Sequence, residues 1–148
     1  MSEADFSTQF AGQFFVVTGS TQGLGAAVAQ TLARRGAAGL IICGRSRDKG
    51  EDQVRQLAQL DCQAFFVEAD MERVEDCRAV IAAAREHFGS LHGLVNCAGM
   101  SDRGSILDTS PELFDRIFAV NVRAPFFLIQ EAIKLMISRN VQGSIVNI

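Results

Sequence analysis

The feature that most constrains the fold is a short apolar run that leads directly into a glycine-rich segment. Residues 14–17 read Phe-Phe-Val-Val, and residues 18–25 read Thr-Gly-Ser-Thr-Gln-Gly-Leu-Gly. This order predicts a buried strand that turns through glycines into a helix. Such a junction presents backbone N–H groups and the positive end of a helix dipole, which together suit a pyrophosphate group.

Each of the three glycines has its own expected role at this junction. Gly19 allows the chain to turn sharply, Gly23 allows a phosphate to approach the backbone, and Gly25 allows the helix to pack close to the strand. Glycines also occur in ordinary loops, so the triplet alone is weak evidence. Its position after a strand and before a helical pattern strengthens the interpretation.

Composition places the chain among globular domains. Its 148 residues are 48% hydrophobic and 21% charged, with a net charge of −3, so one domain with a substantial core is expected. There is no basic patch for nucleic acid and no apolar run of membrane-spanning length, and neither partner is predicted. Four cysteines without a Cys-x-x-Cys pair, and only two histidines, predict reduced thiols in a cytoplasmic protein and no metal site.

The end of the sequence favours a longer protein. The last residues, Gly-Ser-Ile-Val-Asn-Ile at positions 143–148, read as a buried strand. Natural domains seldom end on bare apolar β-sequence. We therefore expect residues 1–148 to be the N-terminal part of a longer single domain.

Short apolar runs alternate with helical patterns along the whole chain. Strands are predicted at 14–18, 40–43, 64–68, 94–96 and 144–148. The first helix carries Leu24, Val28 and Leu32 at four-residue spacing and stops at Gly36. The remaining helices are expected at 48–59 with Val54 and Leu57 facing inward, at 74–88 before Gly89, from a Thr109/Glu112 capping box towards Val120, and at 124–139.

Strands separated by helices imply parallel pairing with right-handed crossovers. The fold class is therefore α/β, a Rossmann-like doubly wound parallel sheet with helices on both faces. The expected strand order is 3-2-1-4-5. Ligands of such sheets bind beyond the carboxyl ends of the strands, at the switch point between the first and fourth strands.

Polar residues and glycines do follow the predicted strands at that edge. Arg45, after the second strand, suits the 2′-phosphate of NADP, with a solvated loop charge as the alternative. Gln22 adds no second positive charge, so NAD stays possible. Asp70, beside Met71 after the third strand, could accept a hydrogen bond from an adenine amine or act as the N-cap of the third helix. Residues 96–99, Asn-Cys-Ala-Gly, offer small side chains against which a cofactor could lie, or form an ordinary turn.

Asn121 is a local misfit in apolar helical sequence, because its amide competes for backbone hydrogen bonds. One interpretation is a helix break reinforced by Pro125. The other is a buried amide or kinked backbone that organises water in an active site.

Together these features resemble the short-chain dehydrogenase/reductase family over nearly the whole chain. Residues 18–25 match its T-G-x-x-x-G-x-G cofactor loop, and residues 96–99 match its N-N-A-G motif with Cys97 in place of the second asparagine. The resemblance implies a catalytic role for Asn121. The residues predicted to bind the cofactor are Gly19, Ser20, Gln22, Gly23, Leu24, Gly25, Arg45, Asp70, Met71, Asn96, Ala98 and Gly99.

The resemblance also implies what this chain does not contain. The family's catalytic serine and its Tyr-x-x-x-Lys pair lie beyond the strand that ends at Ile148, and the chain has no tyrosine. In the family the tyrosine exchanges a proton with the substrate oxygen, the lysine lowers the pKa of that tyrosine, and the serine positions the carbonyl. His87 and His92 are interpreted as surface residues rather than replacements.

The resemblance implies an NAD(P)-dependent dehydrogenase or ketoreductase that acts on a small carbonyl or alcohol substrate, with NADP as the expected cofactor. The alternative is a non-catalytic, cofactor-sensing or interaction protein with the same fold. A domain for another phosphorylated nucleotide is disfavoured, because no Walker lysine follows the glycines. The fifth helix is apolar on more than one face, which predicts a homo-oligomer, a dimer or tetramer, or burial under later sequence.

Overall fold

The computed structural model describes residues 6–148 and contains one five-stranded parallel sheet. The strands are β1 Phe14–Thr18, β2 Gly39–Gly44, β3 Gln63–Glu68, β4 Gly93–Asn96 and β5 Ser144–Asn147. The helices are α1 Gly23–Arg34, α2 Arg47–Ala58, α3 Val74–Phe88, α4 Pro111–Phe118 and α5 Ala124–Ser138, with a π-helical turn at Ala119–Arg123. Every predicted strand and helix is present.

The strand order is β3-β2-β1-β4-β5, which confirms the predicted doubly wound topology. In the centre of the sheet, Val16 of β1 lies between Ile41 of β2 and Leu94 of β4. All three side chains are fully buried. The switch point therefore lies between β1 and β4, where the chain leaves the centre of the sheet in opposite directions.

The alternation of side chains along the strands divides the core between the two faces of the sheet. Val16, Ile41 and Leu94 belong to a cluster with residues of α3 and α5. Their neighbours Val17 and Leu40 belong to a second cluster with residues of α1 and α2. Because successive side chains of a strand point to opposite faces, near-continuous apolar strands are what a sheet covered on both sides requires.

Helix α1 forms where the four-residue spacing predicts it, but it does not bury all three of the apolar residues that show that spacing. Leu32 is buried and Val28 is half-buried, but Leu24 is 57% exposed. The buried positions of the first two turns are instead Gly25 and Ala29. Small residues there allow the helix to lie close to the sheet, which turns Leu24 outward at the edge where a ligand would bind.

The N-terminus of α4 is displaced by one residue from the predicted capping box. Ser110, not Thr109, is the N-cap, and its hydroxyl accepts a hydrogen bond from the Leu113 N–H at 3.2 Å. Pro111 explains the shift, because proline fits the first helical position, where no N–H donor is needed. Thr109 instead donates its hydroxyl to the carbonyl of Ser105 at 2.8 Å.

One interpretation of Asn121 required a break in the helix. The structure shows no break at this position. A π-helical turn joins α4 to α5, and the Ala124 N–H donates to the Ala119 carbonyl five residues earlier. Pro125 accounts for the widening, because it has no N–H with which to bond the carbonyl of Asn121, four residues before it. The backbone is therefore distorted here, but it stays helical.

His92, interpreted from the sequence as a surface residue, is only partly exposed. Its ring is half-buried, and its Nδ1 accepts a hydrogen bond from the Phe14 N–H at 3.2 Å. Burial lowers the pKa of His92, which favours the neutral imidazole that can accept this bond. His87 is exposed as expected and stacks on Phe65, with 3.7 Å between ring centroids.

Within the part of the chain that the structure describes, none of the helices combines the length and the apolar character needed to cross a membrane. Helix α5 is apolar on two sides, as predicted. Leu128, Ala132 and Leu135 are buried, whereas Phe126 and Ile137 are exposed.

Substitution of Leu128 tests the packing of α5 on the sheet. Leu128 is 1% exposed, and Leu128→Ala is expected to lower the free energy of unfolding by about 2–5 kcal/mol, the range for large-to-small core substitutions. Leu107→Ala removes the same atoms from a side chain that is 93% exposed, and less than about 0.5 kcal/mol is expected. Urea denaturation followed by circular dichroism measures both, and equal losses would contradict the described core.

Candidate functional site

A groove of about 360 Å³ lies beyond the carboxyl ends of the strands, at the switch point. Ten of the twelve residues predicted to bind a cofactor line it. These are Gly19, Gln22, Gly23, Leu24, Gly25, Arg45, Asp70, Met71, Ala98 and Gly99. The structure therefore brings together residues from the ends of four strands and the start of α1.

The floor of the groove depends on close approach of backbones at two glycines. Gly19 has φ +61°, and a Cβ there would lie 2.8 Å from the Cα of Ala98. A Cβ on Gly25 would overlap the carbonyl oxygen of Gly19. Both predicted roles are confirmed, because the chain turns sharply at Gly19 and α1 packs against that turn at Gly25.

The N-terminus of α1 points unpaired donors into this groove. Gln22 is the N-cap residue and makes no side-chain capping bond. The first helical bond runs from the Ala26 N–H to the Gln22 carbonyl, so the N–H groups of residues 23–25 have no partner in the described structure. A Cβ on Gly23 would meet nothing within 4 Å. Open space above unpaired amides is the arrangement that receives an anion.

Two hydroxyl groups hold the glycine turn in place. Thr18 Oγ1 accepts hydrogen bonds from the N–H groups of Cys97 and Ala98, both at 3.1 Å. Ser20 donates its hydroxyl to the Val17 carbonyl at 2.7 Å and accepts from the Cys43 N–H at 3.0 Å. Both side chains are buried. Ser20 thus fastens β1 to β2 and does not line the groove.

Two basic residues follow β2, and only one of them is paired. Arg47 forms an ion pair with Glu68 at 2.7 Å. Arg45 lines the groove, is exposed, and forms no ion pair within residues 6–148. Of these two arginines, Arg45 is therefore the one without a carboxylate partner in the described residues.

Asp70 lines the groove. One interpretation made Asp70 the N-cap of α3, and this interpretation is wrong. The N-cap of α3 is Arg73, which makes no side-chain capping bond. Asp70 Oδ1 accepts a hydrogen bond from the Glu72 N–H at 2.9 Å, and the Asp70 N–H donates to Asp76 Oδ2 at 2.9 Å. These bonds form a rigid turn that carries Met71 into the same wall.

Asn96 is set back from the groove. It is 3% exposed, and its Nδ2 donates to Asn147 Oδ1 across β4 and β5 at 2.7 Å. Its own Oδ1 is buried and has no hydrogen-bond partner. Asn96 faces a second cavity of about 690 Å³, which is also lined by Asn121.

Asn121 binds the backbone of the segment that follows β4. Its Oδ1 accepts from the Met100 N–H at 2.8 Å, and its Nδ2 donates to the Met100 carbonyl at 2.7 Å. The side chain is exposed, which corrects the expectation of a buried amide. The groove and the second cavity share Ala98, Gly99 and Met100, so Asn121 fixes the wall between them.

The four cysteines are free thiols, and their surroundings favour the protonated form. Burial raises the pKa of Cys43 to about 12 and the pKa of Cys62 and of Cys77 to about 11. Burial also raises the pKa of Cys97, which lines the groove. Residues 6–148 contain no cluster of three or more His, Cys, Asp or Glu side chains suited to a metal ion.

Sequence reasoning missed several residues that complete the site. Thr18 was identified as the first residue of the cofactor loop, but no role was predicted for its hydroxyl, which joins β1 to the segment after β4. Gly44 also went unnoticed, and a Cβ there would lie 2.8 Å from Cγ2 of Thr21. The signal was present in both cases, because Thr18 ends β1 and Gly44 ends β2 at the edge of the sheet where the groove lies.

Comparison with known proteins agrees with this architecture. A family model described as short chain dehydrogenase matches residues 13–148. Tetrahydroxynaphthalene reductase PfmaG of Pestalotiopsis fici is 33% identical over 125 residues, which cover 84% of this chain and 45% of that protein. Versicolorin reductase 1 of Aspergillus parasiticus is 36% identical over 125 residues, which cover 84% of this chain and 48% of that protein. The chain thus spans about half the length of these relatives.

Solved structures show the same fold. A putative short-chain alcohol dehydrogenase from Sinorhizobium meliloti has a TM-score of 0.87 at 31% identity, covering 93% of this chain and 54% of that one. A metagenomic short-chain oxidoreductase, solved in complex with NADP, has a TM-score of 0.86 at 29% identity, covering 93% of this chain and 62% of that one.

Substitution of Gly25 tests the close approach at the floor of the groove. Gly25→Ala places a methyl group against the Gly19 carbonyl, which is backbone and has little freedom to move. A loss of about 1–3 kcal/mol in the free energy of unfolding is expected. Gly99→Ala is the control, because its Cβ would meet only Asn121 Oδ1, at an ordinary 3.7 Å. Thermal melts compare both variants with the unmodified protein. A Gly25→Ala protein as stable as the unmodified one would contradict the described packing.

Proposed function

Because this chain belongs to the short-chain dehydrogenase family, we propose that it supplies the nicotinamide dinucleotide site of an oxidoreductase that acts on a small carbonyl or alcohol substrate. The observation that carries this proposal is the groove with the unpaired N–H groups of residues 23–25 at its floor. These donors, the α1 dipole and the open space above Gly23 fit a diphosphate.

The residues around the groove fit the remainder of such a cofactor. Asp70 and Met71 would border the adenine ring, and Arg45 would meet the adenosine ribose. Ala98 and Gly99 would lie along the nicotinamide half. When bound, the cofactor donates or accepts a hydride. The chain's own contribution to the chemistry is binding and orientation.

The second cavity is the proposed place for the substrate. It meets the groove at Ala98, Gly99 and Met100, and its outer wall is apolar, with Val122 and Phe126 among its residues. Asn121 would act there as a positioning residue, because both atoms of its amide hold the Met100 backbone. The residues that exchange the substrate proton, as implied by the family, are not among those of this chain.

Arg45 favours NADP over NAD as the cofactor. Arg45 lines the groove and has no carboxylate partner in the described residues, so its charge is available to a 2′-phosphate. The relative solved with NADP supports the same choice. An arginine at this position gives no comparable advantage to NAD, which has a hydroxyl in place of that phosphate.

Titration of NADPH and NADH against the purified protein tests the cofactor proposal. Arg45→Gln is expected to raise the Kd for NADPH roughly tenfold or more, as for loss of a charge-assisted contact, and to change the Kd for NADH less than about twofold. Because the chain has no tryptophan or tyrosine, nicotinamide fluorescence reports binding directly. Arg34→Gln, at the far end of α1, is the matched control.

Two results would contradict the proposal in different ways. Failure of the unmodified protein to bind either nucleotide would remove the dinucleotide site. Tighter binding of NADH than of NADPH would remove the role of Arg45 alone. Turnover of a carbonyl or alcohol substrate, measured on a protein that also carries the family's serine and Tyr-x-x-x-Lys pair, would further separate an enzyme from a non-catalytic cofactor-sensing protein.

We also propose that the protein is a homo-oligomer, a dimer or tetramer. Four exposed apolar side chains recur along α4, the π-helical turn and α5, and we call them the exposed stripe: Phe114, Phe118, Val122 and Phe126. Each is 48–60% exposed, and the rings of Phe114 and Phe118 stack at 4.4 Å. A continuous apolar stripe of this kind is typical of a surface covered by a partner.

Sedimentation velocity at micromolar concentration tests the stripe. Phe118→Asp is expected to shift the protein from oligomer to monomer, because burial of a charge at an apolar interface is costly. Ile106→Asp is the matched control, since Ile106 is 97% exposed and lies outside the stripe. A monomeric unmodified protein, or equal effects of the two substitutions, would contradict the proposal.

A reducing compartment, the cytoplasm, is the proposed location. Support comes from four free cysteines, of which Cys43, Cys62 and Cys77 are buried. Free thiols of this kind are typical of proteins kept reduced by glutathione and thioredoxin.

A further inference from the structure

We propose that Lys49 is a second determinant of 2′-phosphate recognition and that Gln22 holds its ammonium group at the groove. This inference rests on the proposed binding of NADP. It identifies a specificity residue that the spacing of the sequence did not reveal, because Lys49 lies on a different element from the glycine-rich loop.

The contact that carries the inference joins the start of α1 to the start of α2 beside the groove. The Nζ of Lys49 donates to Oε1 of Gln22 at 2.6 Å. Gln22 lines the groove immediately before α1, whereas Lys49 lies in the first turn of α2. The glycine loop carries no cation of its own, so this contact brings one to it from a neighbouring helix.

The three basic residues around the start of α2 differ in the groups that they meet. Arg47 is bound to Glu68 at 2.7 Å. Arg45 lies on the loop that lines the groove, and Lys49 is turned to Gln22 on the other side of the helix from Arg47. Residues two apart on a helix do not share a face, so Arg47 and Lys49 must point in different directions.

Lys49 adds a positive charge at the start of α2 that forms no ion pair within residues 6–148. Asp48 is the acidic residue in the first turn of α2, and Arg47 is neutralised by Glu68. A second positive charge beside the groove attracts a doubly charged phosphate monoester more strongly than a ribose hydroxyl.

Gln22 adds order to this arrangement. An ammonium group has three donors, and one bond to Gln22 leaves two for phosphate oxygens. Holding a flexible lysine in place before binding reduces the entropy that the complex must lose. The glutamine therefore contributes no charge but determines where a charge is held.

Isothermal titration calorimetry with NADP and NAD tests the proposal on the purified protein. Lys49→Gln is expected to raise the Kd for NADP roughly five- to tenfold, as for one charge-assisted hydrogen bond at a solvent-exposed site, and to leave the Kd for NAD within about twofold. Arg55→Gln is the matched control, since Arg55 lies near the other end of α2 and pairs with Asp52. It changes the net charge equally and is expected to leave both Kd values unaltered.

A second variant separates the ammonium from the contact that positions it. Gln22→Ala keeps the charge of Lys49 but removes its acceptor, and a smaller rise of the NADP Kd, about two- to threefold, is expected. Equal weakening of NADP and NAD by Lys49→Gln, or no change in either, would overturn the inference. An unmodified protein that binds NADP tightly while Lys49→Gln has no effect would overturn this inference alone. Absence of binding by the unmodified protein would overturn the proposed function and this inference with it.

Discussion

The close approach of three backbone segments at Gly19 is the constraint on which the site depends. The end of β1, the start of α1 and the end of β4 meet there, with Gly25 against the Gly19 carbonyl and Ala98 against its Cα. No side chain fits between them. This crowding holds the N-terminus of α1 over the switch point, so that its free amides face the groove rather than the solvent. Thr18 strengthens the arrangement by accepting two N–H groups from the segment after β4.

The sequence allowed the topology and most of the groove to be predicted, because both depend on local patterns. Apolar runs followed by glycines define the strand ends, and parallel strands bring those ends to one edge. What could not be predicted depends on long-range partners. Ser20 sits in the same loop as the groove residues, yet its hydroxyl bonds β2. Asn96 occupies a motif position, yet its amide faces β5. Only the direction of a side chain separates these roles.

The departures in the helices have a similar origin. The Thr109 capping pattern was a correct signal of a helix start, but Pro111 fixed the register one residue later. Asn121 was correctly singled out as a misfit, although the cause lies in Pro125, which leaves a carbonyl without its helical donor. The resulting π-helical turn keeps α4 and α5 in one continuous rod. It also directs the Asn121 amide at Met100, so a single backbone defect connects a helix to the wall between two cavities.

The charges at the groove cannot be read from the local sequence alone, because the partner of each paired cation lies on another element. Read along the chain, Gln22 is neutral and Arg45 is the one cation near the expected ribose site. In the folded chain Gln22 accepts a hydrogen bond from Lys49, and Arg47 forms an ion pair with Glu68. The available charge is therefore set by which acceptors each cation meets, not by how many cations the segment contains. Gln22 is neutral, but by holding the ammonium group of Lys49 it places a positive charge where a basic residue at position 22 would place one. A phosphate group there would meet that charge through a charge-assisted hydrogen bond.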